Sequence, residues 1–115
     1  MAVSRGEIVE VNAQLPHEHP KPHMVLVVSG PHLQQEEDGM FYGVMITSRP
    51  TPSEYKIEIK PDMLVRPLSK QSYFATHLMT FYTPEEIVRP QITRLKMAYM
   101  EDVINKVIDS VFECE

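Results

Sequence analysis

The chain has 115 residues, a hydrophobic share of 43% and a formal net charge of −5 at pH 7. This length predicts a single domain over residues 1–115, with one hydrophobic core and no room for a second. The sequence has no apolar run long enough to span a bilayer and no signal-peptide segment at its start. We therefore expect a cytoplasmic protein that does not enter a membrane.

The charges are unevenly distributed along the chain. Acidic residues cluster at positions 36–38 and again beyond position 100, whereas positions 49–70 carry five cations and three acids. The acidic balance argues against broad, nonspecific binding to nucleic acid. A locally basic face and a mixed, solvated surface are both compatible with the middle region.

The cysteine and histidine content predicts neither a metal nor a cofactor. The only cysteine, Cys114, excludes an internal disulfide and a cysteine-based zinc site, and its place near the C-terminus argues against catalysis. His17, His19 and His23 could ligate a metal in principle, but three prolines stiffen the segment that holds them. Solvated loop histidines are the default interpretation.

Hydrophobic patterning predicts mostly strands. Residues 7–11 and 55–59 alternate between polar and apolar, which is typical of half-buried strands, and residues 24–28 form a continuous apolar run typical of a central strand. Further extended segments are predicted at residues 40–47, 64–68, 72–81 and 91–95. The prolines of residues 12–22 and the polar composition of residues 29–39 predict loops.

Two helices are predicted in the second half of the chain. Thr83, Pro84 and Glu86 have the form of a capping box with proline at the first helical position, and Pro90 would end that helix after about two turns. Met97–Phe112 carries apolar residues at three- and four-residue spacing, namely Met97, Met100, Val103, Ile104, Val107, Ile108 and Val111. Short strands followed by a terminal amphipathic helix predict a mainly β protein with α, a small, partly open barrel closed by helices.

The strand over residues 40–47 ends in a polar group. Thr47, Ser48 and Arg49 follow a nearly all-apolar run and precede Pro50. Hydroxyls and a guanidinium at the mouth of a sheet can bind a phosphate. An ordinary strand end, in which the hydroxyls bond the local backbone, explains the same pattern.

Several segments resemble one protein family in the same order along the chain. GEIVEV at 6–11 resembles a G-D-I-V-x-V opening, HMVLVVS at 23–29 resembles R-P-V-L-V-l-S, and VMITS at 44–48 resembles v-x-x-I-T-S. ITRL at 92–95, with the helix that follows, resembles the family's ending. The chain is therefore similar to the PemK/MazF-like toxins of type II toxin–antitoxin systems.

The resemblance implies a fold, an activity and partners. The fold would be an SH3-like barrel of the PemK/CcdB type, with a short helix and a C-terminal amphipathic helix. The protein would be a homodimer and a metal-independent endoribonuclease that cleaves single-stranded RNA. Its other partner would be a cognate antitoxin whose disordered tail fills the RNA groove.

The sequence departs from the family at two arginines. His23 stands where the family usually has a catalytic arginine, and Met79, close to His77, stands where a later arginine is common; Thr47 and Ser48 match the family's hydroxyl positions. A guanidinium that forks onto phosphate is not easily replaced. We therefore hypothesise that His23 and His77 act as acid and base in attack by the 2′-hydroxyl. Thr47 or Ser48 would donate to the phosphate, and Arg49 would neutralise its charge.

RNA contacts are predicted from four cations, and two alternatives stay open. The cations are Lys21, Arg49, Lys56 and Arg94. The first alternative is a toxin-fold module that has lost cleavage and only binds a protein or nucleic acid, which the missing arginines favour. The second is a gyrase poison related to CcdB, which the absence of tryptophan disfavours.

Overall fold

A computed structural model describes residues 3–13, 21–50 and 53–112. Six strands form one antiparallel sheet in the order β4-β5-β3-β2-β1-β6. Their bounds are β1 Glu7–Ala13, β2 Lys21–Val27, β3 Phe41–Thr47, β4 Lys56–Ile59, β5 Ser72–Tyr82 and β6 Ile87–Arg94. β4 and β6 lie at the two edges and do not pair, so the sheet is not closed. This confirms the predicted mainly β, partly open barrel.

Two α-helices accompany the sheet, α1 over Pro31–Glu36 and α2 over Met97–Phe112. The bounds of α2 agree with the prediction, but its buried stripe is narrower. Met100, Val103 and Val107 are buried, whereas Met97 and Ile108 are 69% and 46% exposed. The helix therefore packs on the sheet along one narrow line. In the described part of the chain, no helix combines the length and apolarity needed to cross a membrane.

The helix predicted after Thr83 is wrong. The capping contact forms, since the backbone N–H of Thr83 donates to Glu86 Oε1 at 2.9 Å, but only a three-residue 3₁₀ turn follows, Pro84–Glu86. From Ile87 the chain is extended and pairs with β1. Two β-branched residues directly after the turn favour a strand, and tertiary pairing decides between the two outcomes.

The loop predicted over residues 29–39 contains α1. Pro31 occupies the first turn, and the buried Gln34 side chain exchanges two hydrogen bonds with the backbone of Val3. A partner 31 residues away is invisible to a local pattern, which explains the wrong loop prediction. The segment predicted as extended at residues 64–68 is reduced to one bridge, Leu64 to Leu95.

β2 begins at Lys21, three residues before the predicted start, and includes Pro22. Pro22 pairs with Asn12 of β1, but the β2–β3 ladder begins only at Val25. Proline has no N–H to donate, but β3 does not pair with β2 at this position. The strand therefore loses no hydrogen bond to β3, which allows it to contain a proline.

The core has two parts, one on each face of the sheet. Leu26 and Phe74 belong to the cluster that also contains the buried residues of α2. Val25, Phe41 and Tyr82 belong to the cluster on the opposite face. Burial, and secondarily the nearby carboxylate of Glu86, raises the pKa of Tyr82 to about 12.

Candidate functional site

A polar cleft of about 420 Å³ opens where β2 begins and β3 ends. Because the two strands are antiparallel, the start of β2 and the end of β3 lie side by side at the same end of the sheet. Residues from β1, from β6 and from the segment 67–72 complete its walls. The polar side chains that line it are Glu10, His23, Thr47, Ser48, Ser69, Lys70, Ser72 and Arg89. Three of the predicted site residues, His23, Thr47 and Ser48, are thus brought together.

His23 and Thr47 line the same cleft from neighbouring strands. The β2–β3 ladder ends at the pair Val25–Met45, and each of the two residues lies two positions beyond it. Both residues are half-buried, and Nε2 of His23 lies inside the protein. The antiparallel arrangement of β2 and β3 therefore places an imidazole and a hydroxyl in one cleft.

The hydroxyl of Thr47 can still donate a hydrogen bond. Its Oγ1 accepts a hydrogen bond from the backbone N–H of Arg49 at 3.2 Å. A hydroxyl has one donor and two acceptor positions, so accepting this bond leaves the O–H available. The local turn and a phosphate contact, which the sequence posed as alternatives, are compatible in this geometry.

A guanidinium and a carboxylate that the sequence analysis missed also face this cleft. Nη2 of Arg89 lies 3.7 Å from Oε2 of Glu10, with side chains 62% and 25% exposed. Arg89 lies in the segment wrongly predicted as a helix, and its position only becomes clear from the pairing of β6 with β1. The cleft therefore contains an arginine even though the two family positions have lost theirs.

His77 lies elsewhere. It falls in a bulge of β5, between the pairs Val44–Met79 and Met45–Ala75, where the side chain is exposed. Its ring centroid is 4.9 Å from that of Tyr55. One chain therefore does not bring His77 to the His23 cleft, and its role stays a prediction.

The four cations predicted to bind RNA do not line this cleft. Arg49 is exposed just beyond it, and Nζ of Lys56 donates to the Arg49 carbonyl at 3.0 Å. Lys21 is exposed at the start of β2. Arg94 lines a separate pocket, which is formed by residues of β6 together with residues near positions 4–7 and 65–66. Their proposed contacts with RNA stay predictions.

The structure covers only some of the residues that were considered as metal ligands. His17, His19 and Cys114 lie outside the described residues. Over residues 3–13, 21–50 and 53–112, no three histidine, cysteine or acidic side chains are grouped closely enough to hold a metal ion.

The fold and the cleft define a small, open-barrel protein with a polar site at one edge of its sheet. Solved structures share this fold: MazF from Deinococcus radiodurans has a TM-score of 0.77 at 15% identity, covering 99% of both chains. The MazE–MazF structure from the same organism has a TM-score of 0.75 at 14% identity, covering all of both chains. An endoribonuclease in complex with its cognate antitoxin, from a mycobacterial species, has a TM-score of 0.71 at 15% identity, covering 99% of this chain and 98% of that one.

The sequence itself identifies the family. The protein-family model described as PemK-like, MazF-like toxin of type II toxin–antitoxin system matches residues 4–111 of the sequence. No curated protein shows a significant match to the sequence. The chain belongs to the PemK-like, MazF-like toxin family of type II toxin–antitoxin systems.

Proposed function

We propose that this toxin is an endoribonuclease that cleaves single-stranded RNA in the cleft formed by His23, Thr47, Ser48 and Arg89. The observation that supports it most is that β2, β3 and β6 bring an imidazole, two hydroxyls and a guanidinium to one cleft. These are the groups that a phosphodiester transfer needs: a proton acceptor, hydrogen-bond donors for the phosphate oxygens and a positive charge.

The reaction is attack of the ribose 2′-oxygen on the adjacent phosphorus. The 2′-oxygen loses its proton, the new O–P bond forms, and the bond to the 5′-oxygen breaks. The products are a 2′,3′-cyclic phosphate and a 5′-hydroxyl, with the leaving oxygen taking up a proton. His23, which lines the cleft, accepts the 2′-proton.

The phosphate is held by the hydroxyls and the guanidinium. Thr47 and Ser48 donate to its oxygens, and Arg89 neutralises the charge that builds up in the transition state. Arg89 exchanges its long contact with Glu10 for the phosphate. The contact of 3.7 Å between an exposed guanidinium and a half-buried carboxylate is long enough for this exchange.

The proposal extends to the assembly. A mycobacterial endoribonuclease and the MazF of D. radiodurans have each been solved with an antitoxin. We propose that this chain likewise binds a cognate antitoxin, and that it acts as a homodimer. His77 keeps its proposed role as the acid only in an assembly where a second protomer places it at the His23 cleft.

The test is an RNA cleavage assay in the presence of a chelator. Wild type is compared with His23→Ala, Arg89→Gln and the control His32→Ala, which removes an imidazole on α1 outside the cleft. We expect cleavage by wild type and by the control, and a loss of about a hundredfold or more in the two cleft variants. Loss of cleavage on adding chelator would contradict the metal-independent mechanism. No cleavage of varied single-stranded RNAs by wild type would favour a toxin-fold module that only binds its partner.

A further inference from the structure

A second polar pocket shares no lining residue with the His23 cleft. It has a volume of about 380 Å³ and is lined by Arg66 and Arg94, together with Glu7, Gln91 and Thr93. None of these side chains belongs to the proposed catalytic group. Two guanidiniums facing one cavity are the usual way in which proteins bind phosphate.

Both guanidiniums are held by neutral groups. Nη2 of Arg66 donates to the carbonyl of Ile92 at 2.9 Å, and Nη1 of Arg94 donates to the carbonyl of Arg5 at 2.8 Å. Nη2 of Arg94 also donates to Oγ of Ser4. Among the described residues neither arginine makes an ion pair. Their geometry is therefore fixed while their charges remain available to an anion.

The acid in this pocket, Glu7, is turned toward the backbone. It is 7% exposed, and its two carboxylate oxygens accept the N–H groups of Ser4 at 3.2 Å and Gln91 at 3.1 Å. Gln91 has a φ of 53°, which is unusual for a residue with a side chain. Such backbone persists where the surrounding structure holds it, and it often marks a binding site. Here it shapes the pocket wall.

The two polar sites draw their residues from the same segments of the chain. β6 contributes Arg89 to the first and Arg94 to the second, and the segment before β5 contributes Lys70 to the first and Arg66 to the second. Arg94 and Arg89 lie opposite Glu7 and Glu10 of β1, so they are three β1 residues, or roughly 10 Å, apart along the sheet. One extended polyanion can therefore pass from one site to the other.

We propose that the Arg66–Arg94 pocket binds a backbone phosphate of the RNA whose scissile phosphate lies in the His23 cleft. The proposal rests on the proposed ribonuclease function and adds a distal phosphate site to it. A dinucleotide, which has only one internal phosphate, cannot fill both sites. A longer RNA can, and gains affinity from the second.

The test is binding of 2′-O-methyl RNA, which cannot be cleaved, measured by fluorescence anisotropy with a labelled dinucleotide and a labelled decanucleotide. The variants are Arg66→Gln and Arg94→Gln. Arg5→Gln is the matched control, because Arg5 is also held by a carbonyl, that of Val28 at 2.9 Å, but does not line the pocket. Thermal melting checks that each variant is folded.

We expect each pocket variant to bind the decanucleotide about tenfold more weakly. We also expect the slope of log affinity against log salt to fall by about 0.7, the value for one phosphate contact on a single strand. Dinucleotide binding and the control should not change. Equal losses for both RNA lengths, or an unchanged salt slope, would overturn the proposal.

The design separates this proposal from the ribonuclease itself. If wild type binds the decanucleotide and the pocket variants bind it equally well, the proposed distal site is wrong. The proposed ribonuclease function is not affected by that result. If wild type neither binds nor cleaves RNA, the ribonuclease function fails first. Weakened binding of poly-glutamate by the variants, without any effect on RNA, would assign the pocket to an acidic polypeptide and overturn the proposal.

Discussion

Glu7 offers a sharp test of how the structure is held together around the second pocket. Its buried carboxylate accepts two backbone N–H groups, one from Ser4 and one from Gln91. Glu7→Gln keeps the shape of the side chain but replaces one acceptor oxygen by a donor. One backbone N–H then faces an NH₂ group, and the other keeps only a neutral partner.

The expected loss follows from these bonds. A hydrogen bond to a charged group contributes about 1.5–3 kcal/mol, and a neutral one about 1 kcal/mol. Losing one bond and weakening the other costs about 3 kcal/mol, which is partly offset because a buried charge is removed. We expect a net loss of about 2 kcal/mol in the free energy of unfolding, or about 8 °C in Tm.

The assay is urea unfolding at pH 7, with Glu10→Gln as the control. Glu10 lies on the same strand and is 25% exposed, but its contact with the exposed Arg89 is 3.7 Å long, so we expect a loss of about 0.5 kcal/mol. Similar losses in the two variants would refute the argument, because they would show that the buried carboxylate contributes no more than a surface one.

Four further predictions follow from other contacts. Gly43→Ala should cost about 2 kcal/mol in urea unfolding, because its Cβ would lie 2.9 Å from Val25 Cγ2, whereas Gly30→Ala, with nothing closer than 3.6 Å, should cost less than about 0.5 kcal/mol. Gln91→Gly should raise Tm, because it relieves a φ of 53° at a gain of about 1 kcal/mol. Because its pKa is raised, Tyr82 keeps its phenol proton to higher pH in the folded chain than in the unfolded chain. Its contribution to stability is therefore present below about pH 10 and is lost as the pH rises toward 12. Unfolding measured over that pH range should show this loss, and the Tyr82→Phe variant should not show it. His23→Arg should abolish any limb of the cleavage pH profile that reports the imidazole, and an unchanged profile would show that His23 transfers no proton.

The sequence predicted the elements whose signals are local. The apolar run at residues 24–28 became β2, and the three- and four-residue spacing of Met100, Val103 and Val107 became the buried line of α2. The ends of these elements depended on tertiary contacts. Pro22 lies inside a strand because β3 does not pair there, and α1 is held in place by Val3. Neither condition can be inferred from neighbours along the chain.

The sequence predicted the cleft residues that lie at the start of β2 and at the end of β3. His23 and Thr47 were identified separately, and the antiparallel arrangement of β2 and β3 places both in one cleft. Arg89 was missed for a physical reason: a capping box, a proline and two glutamates signalled a helix, and the chain instead formed one turn and joined β1. The wrong local structure therefore kept Arg89 out of the predicted site.

The proposed mechanism also accounts for a histidine, rather than an arginine, at position 23. A guanidinium can bind a phosphate from any strand that places it correctly. β6 is hydrogen-bonded to β1, which is paired with β2, so Arg89 and His23 are fixed relative to each other by two ladders. An arginine on β6 leaves the position on β2 available to a residue that exchanges protons. The proposed mechanism thus assigns charge stabilisation and proton transfer to different strands. We therefore expect substitution of Arg89 to change chiefly the salt dependence of cleavage, and substitution of His23 to change chiefly its pH dependence.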